Sequence, residues 1–303
     1  MNTEEKTWGT ELNPGGLSHD KKHNRRRRIL IIIGVLLIVI ISEFFRSNLY
    51  ISVEEIDYLN KDIPKAFNNV KIVQISDYHN HGGSYDDRLI DKIKQESPDY
   101  IFITGDIADS IKTDIDKANS FLQRISAVAE CYLVWGNHDH RLAAEDLNKM
   151  RSCCKKYGIT VLENEFTTLT REGQSILLVG SDAAPDTGKG PELMRTLPSG
   201  EKFVMWLHHF PEDFEKIVTE SEKRGSKVDL LFCGHAHGGL IGVPFVGGLY
   251  APGQGMFPKY TSGRYNIDDS IMLVSRGVGN SGWSLRWANS FHLVVCTLKS
   301  GQT

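Results

Sequence analysis

The 303-residue chain has 40% hydrophobic and 24% charged residues, a composition that buries a core and excludes a disordered or disulfide-stapled protein. One large α/β domain fits that length. The formal net charge of −3 conceals six Lys/Arg residues and no acid within residues 21–28. The remainder is correspondingly more acidic, which argues against broad nucleic-acid binding; no nucleic-acid partner is expected and no protein partner is inferred.

Directly after this basic run, residues 29–41 are all aliphatic except Gly34. A basic flank before an apolar stretch is a membrane-targeting signature, and a soluble core helix would not normally begin with four arginines. The stretch is shorter than the ~20 residues of a full span, so a cleaved secretory segment competes. Phe44, Phe45 and the Lys/Arg stems extend the apolar length, and residues 42–51 offer no small-residue cleavage site. The reading adopted is a signal anchor or transmembrane helix over 29–45, after a basic cytoplasmic 1–28 and before a polar, irregular connection over 46–69. A single domain over 70–303 follows. The arginines keep the N-terminus in the cytoplasm and put that domain on the far side of the cell membrane, with one pass. Export after signal cleavage is the alternative.

From residue 70 the pattern is β-α-β-α-β, with apolar runs at 70–76, 100–104 and 131–135 and helix-like stretches at 85–96 and 115–129 between them. Residues 142–157 read as a further helix stopped by Gly158. Continuous apolar strands separated by helices call for a sheet covered on both faces. Strands then predominate, at 166–170, 175–180, 203–208, 230–233, 272–275 and 291–298, and two packed sheets with flanking helices account for both halves. The glycine-rich stretch 234–282 reads as long ordered loops, because residues such as Phe245, Leu249, Tyr250 and Phe257 are interspersed. The five cysteines are odd in number and lack metal-ligand spacing; Cys131, Cys233 and Cys296 lie in apolar runs and are expected to pack.

The first three strands end in Asp77-Tyr78-His79, Gly105-Asp106-Ile107-Ala108-Asp109 and Gly136-Asn137-His138-Asp139. Two later ones end in His208-His209-Phe210-Pro211 and Gly234-His235-Ala236-His237. In an open α/β sheet the carboxyl ends of parallel strands face one crevice, so these clusters should converge. Asp, Asn and His suit Zn, Mn or Fe, and there are too many here for one tetrahedral site. Each cluster alone would be ordinary loop chemistry; the five in order are not.

The ordered set D-x-H, G-D-x-x-D, G-N-H-D, a histidine before F-P, and G-H-x-H resembles the calcineurin-like metallophosphoesterase superfamily over residues 70–300. The motifs GHAHGGLI from Gly234, VPFVGGLYAP from Val243 and VSRGVG from Val274 are similar to its YkuE-like branch of membrane-tethered or exported members. The resemblance implies a four-layer α/β/β/α sandwich of two mixed sheets and two divalent transition-metal ions, Mn, Zn or Fe. It assigns Asp77, His79 and His237 to the first ion, Asp106 to both, and Asn137, His209 and His235 to the second. Such a pair, about 3.5–4 Å apart, acidifies a bridging water and neutralises phosphate for in-line attack.

His138 would be catalytic, donating to a phosphate or leaving-group oxygen, with Asp109 paired to it and favouring its charged form. The family's histidine stands two residues before the proline, which selects His209 over His208. His208, Arg276 and Arg286 remain candidates for substrate binding, since guanidinium forks suit phosphate. His81 and His140 are expected as loop residues, and Trp283 and Trp287 in aromatic packing more than at lipid headgroups. The expected activity is hydrolysis of a membrane-associated or lipid-linked phosphodiester or pyrophosphate. A general phosphomonoesterase or protein phosphatase is the alternative among enzymes, and a catalytically silent, membrane-tethered binding module the alternative outside them.

Overall fold

The computed structural model describes residues 16–181, 193, 196–198, 200–243, 246–282 and 284–301, with side chains from residue 23. Pro244, Phe245 and Trp283 lie outside the described residues. The chain divides into two units, Met1–Phe45 and Arg46–Thr303. Most of α1 (Gly16–Leu49) belongs to the first. Within that helix His23–Leu49 is long and apolar enough to cross a membrane, and helical winding satisfies the backbone polar groups that lipid cannot.

The second unit opens with β1 (Ile51–Asn60), β2 (Lys71–Ile75), α2 (Ser84–Glu96), β3 (Tyr100–Thr104), α3 (Ile115–Ser126), β4 (Glu130–Val134), the short α4 (Asn137–His140), α5 (Ala144–Lys156) and β5 (Thr160–Val161). After these come β6 (Glu165–Arg171), β7 (Gln174–Gly180), β8 (Val204–Leu207), α6 (Phe214–Glu222) and β9 (Leu230–Cys233). Two small hairpins follow, β10 (Gly242–Val243) with β11 (Gly247–Gly248) and β12 (Tyr250–Ala251) with β13 (Gly255–Met256). The remaining strands are β14 (Gly263–Ile267), β15 (Ser270–Val274) and β16 (Phe291–Ser300).

One sheet has the order β1-β16-β2-β3-β4-β5 and the other β14-β15-β9-β8-β7-β6. Strands β2 to β5 run parallel, as do β7, β8, β9 and β15; β16 is antiparallel to β2. Alternation along each strand sorts side chains into layers. In β3, Phe102 points between the sheets with Ile72, Met205 and Phe232, while Ile101 and Ile103 meet Leu89, Phe121 and Met150 on the outer face. On the other sheet, Leu177, Val179 and Trp206 pack under Phe214 and Ile217 of α6. The helices fit this role by spacing: α3 buries Ala118, Phe121, Leu122 and Ile125, one face at helical period, and its Asp114 cap accepts from Lys117 N. Three cores thus separate four layers, α/β/β/α, as the sequence implied.

The expectation of an irregular connection over 46–69 is corrected, because it contains β1, ten residues paired in parallel with β16. Its apolar residues serve two cores, Ile51 and Val53 on one side and Ile56 and Tyr58 on the other, so it shows no single apolar face. The 234–282 loops also hold short strands and β14. All five cysteines are buried and free.

Candidate metal centre

The parallel strands β2, β3, β4, β8 and β9 all release their chains at one end of the two sheets, and within three residues of each strand end stands an Asp, Asn or His. Asp77, His79, Asp106, Asn137, His209, His235 and His237 are all buried there. Three sets of ligand atoms gather: Asp77, His79 and His237; His79, Asp106 and His138; Asp106, His209 and His235, each within 4.8 Å. His79 Nε2 faces His237 Nε2 at 3.3 Å. His209 Nε2 lies 3.2 Å from Asp106 Oδ2, and 3.2 Å from both Asn137 Oδ1 and His235 Nδ1.

The local backbone is built for this convergence. Asp77, His79, Asp106, His235 and His237 all have φ between 48° and 67°, the left-handed region that side-chain-bearing residues seldom occupy. Glycines let the loops touch. A Cβ on Gly136 would lie 2.1 Å from Asp106 Oδ1, and one on Gly234 would lie 1.8 Å from Ser76 Oγ. The carboxylate of Asp139 ties the second and third loops together, accepting from Asp106 N at 2.8 Å, Ala108 N at 2.9 Å and Gly136 N at 2.9 Å.

Electrostatics keep three of the four inward imidazoles neutral. Burial pushes His79 down to about 4 and His235 to about 3, and holds His237 well below its ordinary value. Burial would raise Asp106, but the His209, His79 and His138 rings outweigh it and hold the carboxyl well below the usual range. His209 is pushed up to about 10, the attraction of Asp106 overcoming burial. The ring contacts backbone Thr104 O through Nδ1 at 2.7 Å, which assigns the hydrogen there and leaves Nε2 facing Asp106. Imidazole nitrogens, carboxylates and an amide oxygen that face one another, acceptor to acceptor, fit a cation. This donor set therefore matches divalent transition metals.

Above the cluster is a cleft of about 410 Å³ whose walls include His138, Arg141, Phe210, Glu212, Pro252 and Ser281. His138 Nε2 lies 3.2 Å from Ser281 Oγ, and its Nδ1 lies 2.9 Å from Ser110 Oγ. Asp109 is 3.6 Å from Nδ1, beyond hydrogen-bond reach; its oxygens accept instead from Ile111 N at 2.6 Å and Gly282 N at 2.5 Å. Burial lowers His138, but the nearby carboxylates of Asp109 and Asp106 prevail and hold it above its ordinary value.

Three expected substrate contacts lie elsewhere. His208 turns away from the cluster, held by Ser181 Oγ at 2.7 Å and Asp213 Oδ2 at 3.1 Å. Arg276 donates to Ser52 Oγ at 2.6 Å. Arg286 is buried behind His237, its Nη2 3.1 Å from His237 Nδ1. None of the three lines the cleft. His81 stacks on Tyr85 at 3.8 Å, and Trp287 is half-buried in a bridge with Ile241. The sequence reading missed Arg141 as the guanidinium of the cleft, although it stands two residues beyond G-N-H-D, and it missed the bracing by Asp139.

The fold and the converging loops define a two-sheet α/β protein with candidate metal-ligand groups at its strand ends. Residues 70–239 match the family model described as calcineurin-like phosphoesterase, and the chain belongs to that family. It is 32% identical over 247 residues to the "Uncharacterized metallophosphoesterase YkuE" of Bacillus subtilis, covering 78% of this chain and 82% of the relative. It is 29% identical over 192 residues to the "Phosphodiesterase YaeI" of Escherichia coli, covering 61% and 65% respectively. A "Transmembrane protein with metallophosphoesterase domain" of Danio rerio is 23% identical over 262 residues, 82% of this chain and 57% of that one.

Proposed function

We propose that the chain is a two-cation phosphodiesterase or pyrophosphatase that acts on a phosphate ester at the extracytoplasmic surface of the cell membrane. The observation carrying this reading is the chain of three buried donor groups, linked through His79 and Asp106, at the floor of an open cleft. Asp77, His79 and His237 would hold one ion and Asn137, His209 and His235 the other, with Asp106 common to both. Mn, Zn and Fe all suit such donors. When bound, two ions of this kind acidify a water and neutralise phosphate charge.

The remaining work falls to the chain's own groups. His138 Nε2 faces the cleft and would hold a proton for the leaving-group oxygen, with Asp109 favouring its charged form. Arg141 on the cleft wall would orient a non-reacting phosphate oxygen through its fork. Action on diesters is supported by the similarity to the Escherichia coli phosphodiesterase. Membrane attachment is supported by the apolar helix and by the Danio rerio relative, and its orientation by the basic run at residues 21–28.

The test is hydrolysis of bis(p-nitrophenyl) phosphate by purified protein with Mn²⁺. Turnover should vanish on chelation and in Asp106→Asn. No turnover with Mn²⁺, Zn²⁺ or Fe²⁺ would overturn the reading in favour of a silent binding module.

A further inference from the structure

Six of the large apolar side chains exposed by the second unit lie on the loops that wall the cleft or adjoin its walls. Ile111, Ile241, Val246, Met256, Phe257 and Leu285 are exposed, from 40% at Ile241 to 65% at Ile111. Ile111 follows the Asp109-Ser110 pair beside His138. Ile241 to Phe257 belong to the loop that gives Pro252 and Gly253 to the cleft wall, and Leu285 follows Ser281 and Ser284 on that wall. The loops are tied together: Gly242 N donates to Trp287 O at 2.7 Å, and Phe257 N to Leu249 O at 2.9 Å. Single exposed apolar residues need no explanation, but a group on the loops around one cleft does.

Phe257 is the telling member. Its φ is 53°, a conformation that a bulky residue adopts only at a cost. That cost displays a ring 64% exposed, an arrangement that water does not reward. The chain also enters this unit beside the same loops. Arg286 N donates to Asn48 Oδ1 at 3.0 Å, Asn48 Nδ2 to Arg286 O at 2.9 Å and Asn289 N to Ser47 Oγ at 3.3 Å. The segment covalently preceding them is long and apolar enough to cross a membrane. A bilayer is thus the apolar phase to which this unit is covalently tethered.

We infer that the cleft mouth docks on the bilayer surface through this apolar rim, and that the substrate is an amphiphile whose phosphate enters the cleft while its acyl tail stays in lipid. The substrate class rests on the phosphoesterase reading above; the docking does not. Interfacial apolar side chains of this kind bind by the area they bury at the headgroup boundary.

The test uses the full-length protein in phosphatidylcholine nanodiscs, with a single added cysteine carrying an environment-sensitive fluorophore; the native cysteines are all buried. A label at Phe257→Cys should be quenched by brominated phosphatidylcholine and one at Phe166→Cys, exposed on β6, should not. Quenching at neither or at both positions overturns the docking. A blue-shifted label at 257 that brominated lipid leaves unquenched also overturns it, and points to a second copy of the chain on the rim.

A second arm separates docking from chemistry. Met256→Glu/Phe257→Glu should cut hydrolysis of the p-nitrophenyl ester of a phosphatidic acid in the disc by about tenfold, with bis(p-nitrophenyl) phosphate turnover unchanged. Equal rates on the lipid ester would overturn the substrate class. Failure of the wild type to cleave either ester would overturn the phosphoesterase reading and leave the quenching result to judge the docking.

Discussion

The guanidinium of Arg286 lies against the outer face of the His237 ring, Nη2 to Nδ1 at 3.1 Å. It also donates to Gly279 O at 2.7 Å and Asn280 Oδ1 at 2.8 Å. Burial pushes this arginine down to about 10, yet it remains charged at neutral pH, and its planar fork wedges the ring from behind. The inward nitrogen of His237 is thereby held in line with Asp77 and His79.

Replacing this support should loosen the first cation site. Arg286→Lys keeps the charge but loses the fork, so affinity for Mn²⁺ should fall by about 10–100-fold. Calorimetric titration of the metal-free protein checks this, and unchanged affinity would reduce Arg286 to a packing residue.

His138→Ala should leave bound metal nearly intact and lower turnover by about 10²–10⁴-fold. Elemental analysis beside steady-state rates distinguishes this from a lost ligand. An unaffected rate would remove His138 from the reaction.

Asp109→Asn tests the charge on that imidazole. The carboxylate 3.6 Å away helps hold His138 above its ordinary value, so its protonated form survives to higher pH. Removing the negative charge lowers the pH at which the ring loses its proton. The alkaline limb of kcat/KM should therefore move to lower pH, by about one unit. A limb that stays fixed, or moves upward, would contradict this coupling.

Asp139→Asn should destabilise the domain without deleting a ligand. One amide oxygen cannot replace two carboxylate oxygens that accept from Asp106 N, Ala108 N and Gly136 N. An unpaired buried N–H costs about 1–3 kcal/mol, which thermal unfolding would register as a lower Tm.

Much of this was legible in the sequence, for a physical reason. Strands buried on both faces are continuous apolar runs, so 100–104 and 230–233 could be read directly, and the polar residues after them stood out as candidate ligands. β1 was not legible, because its apolar residues divide between two cores along a partly exposed edge. Pairings across space were equally hidden. That Asp109 would spend its oxygens on Ile111 N and Gly282 N, or that Arg286 would back His237, depends on how distant loops meet. His208 and His209 leave the end of an extended strand as neighbours and so point to opposite sides, His209 toward Asp106 and His208 toward Ser181 and Asp213.

The left-handed conformations at Asp77, His79, Asp106, His235 and His237 set catalytic need against chain preference. Glycine would relax such a backbone, by about 1 kcal/mol at each position, and Asp77 and His235 also have side chains that water would solvate better than the interior does. A metal-free His235→Gly variant should therefore melt no lower than the metal-free parent. Cation binding would then be what makes the parent sequence the sturdier one, so that the protein's durability outside its substrate's reach is governed by the supply of divalent ions.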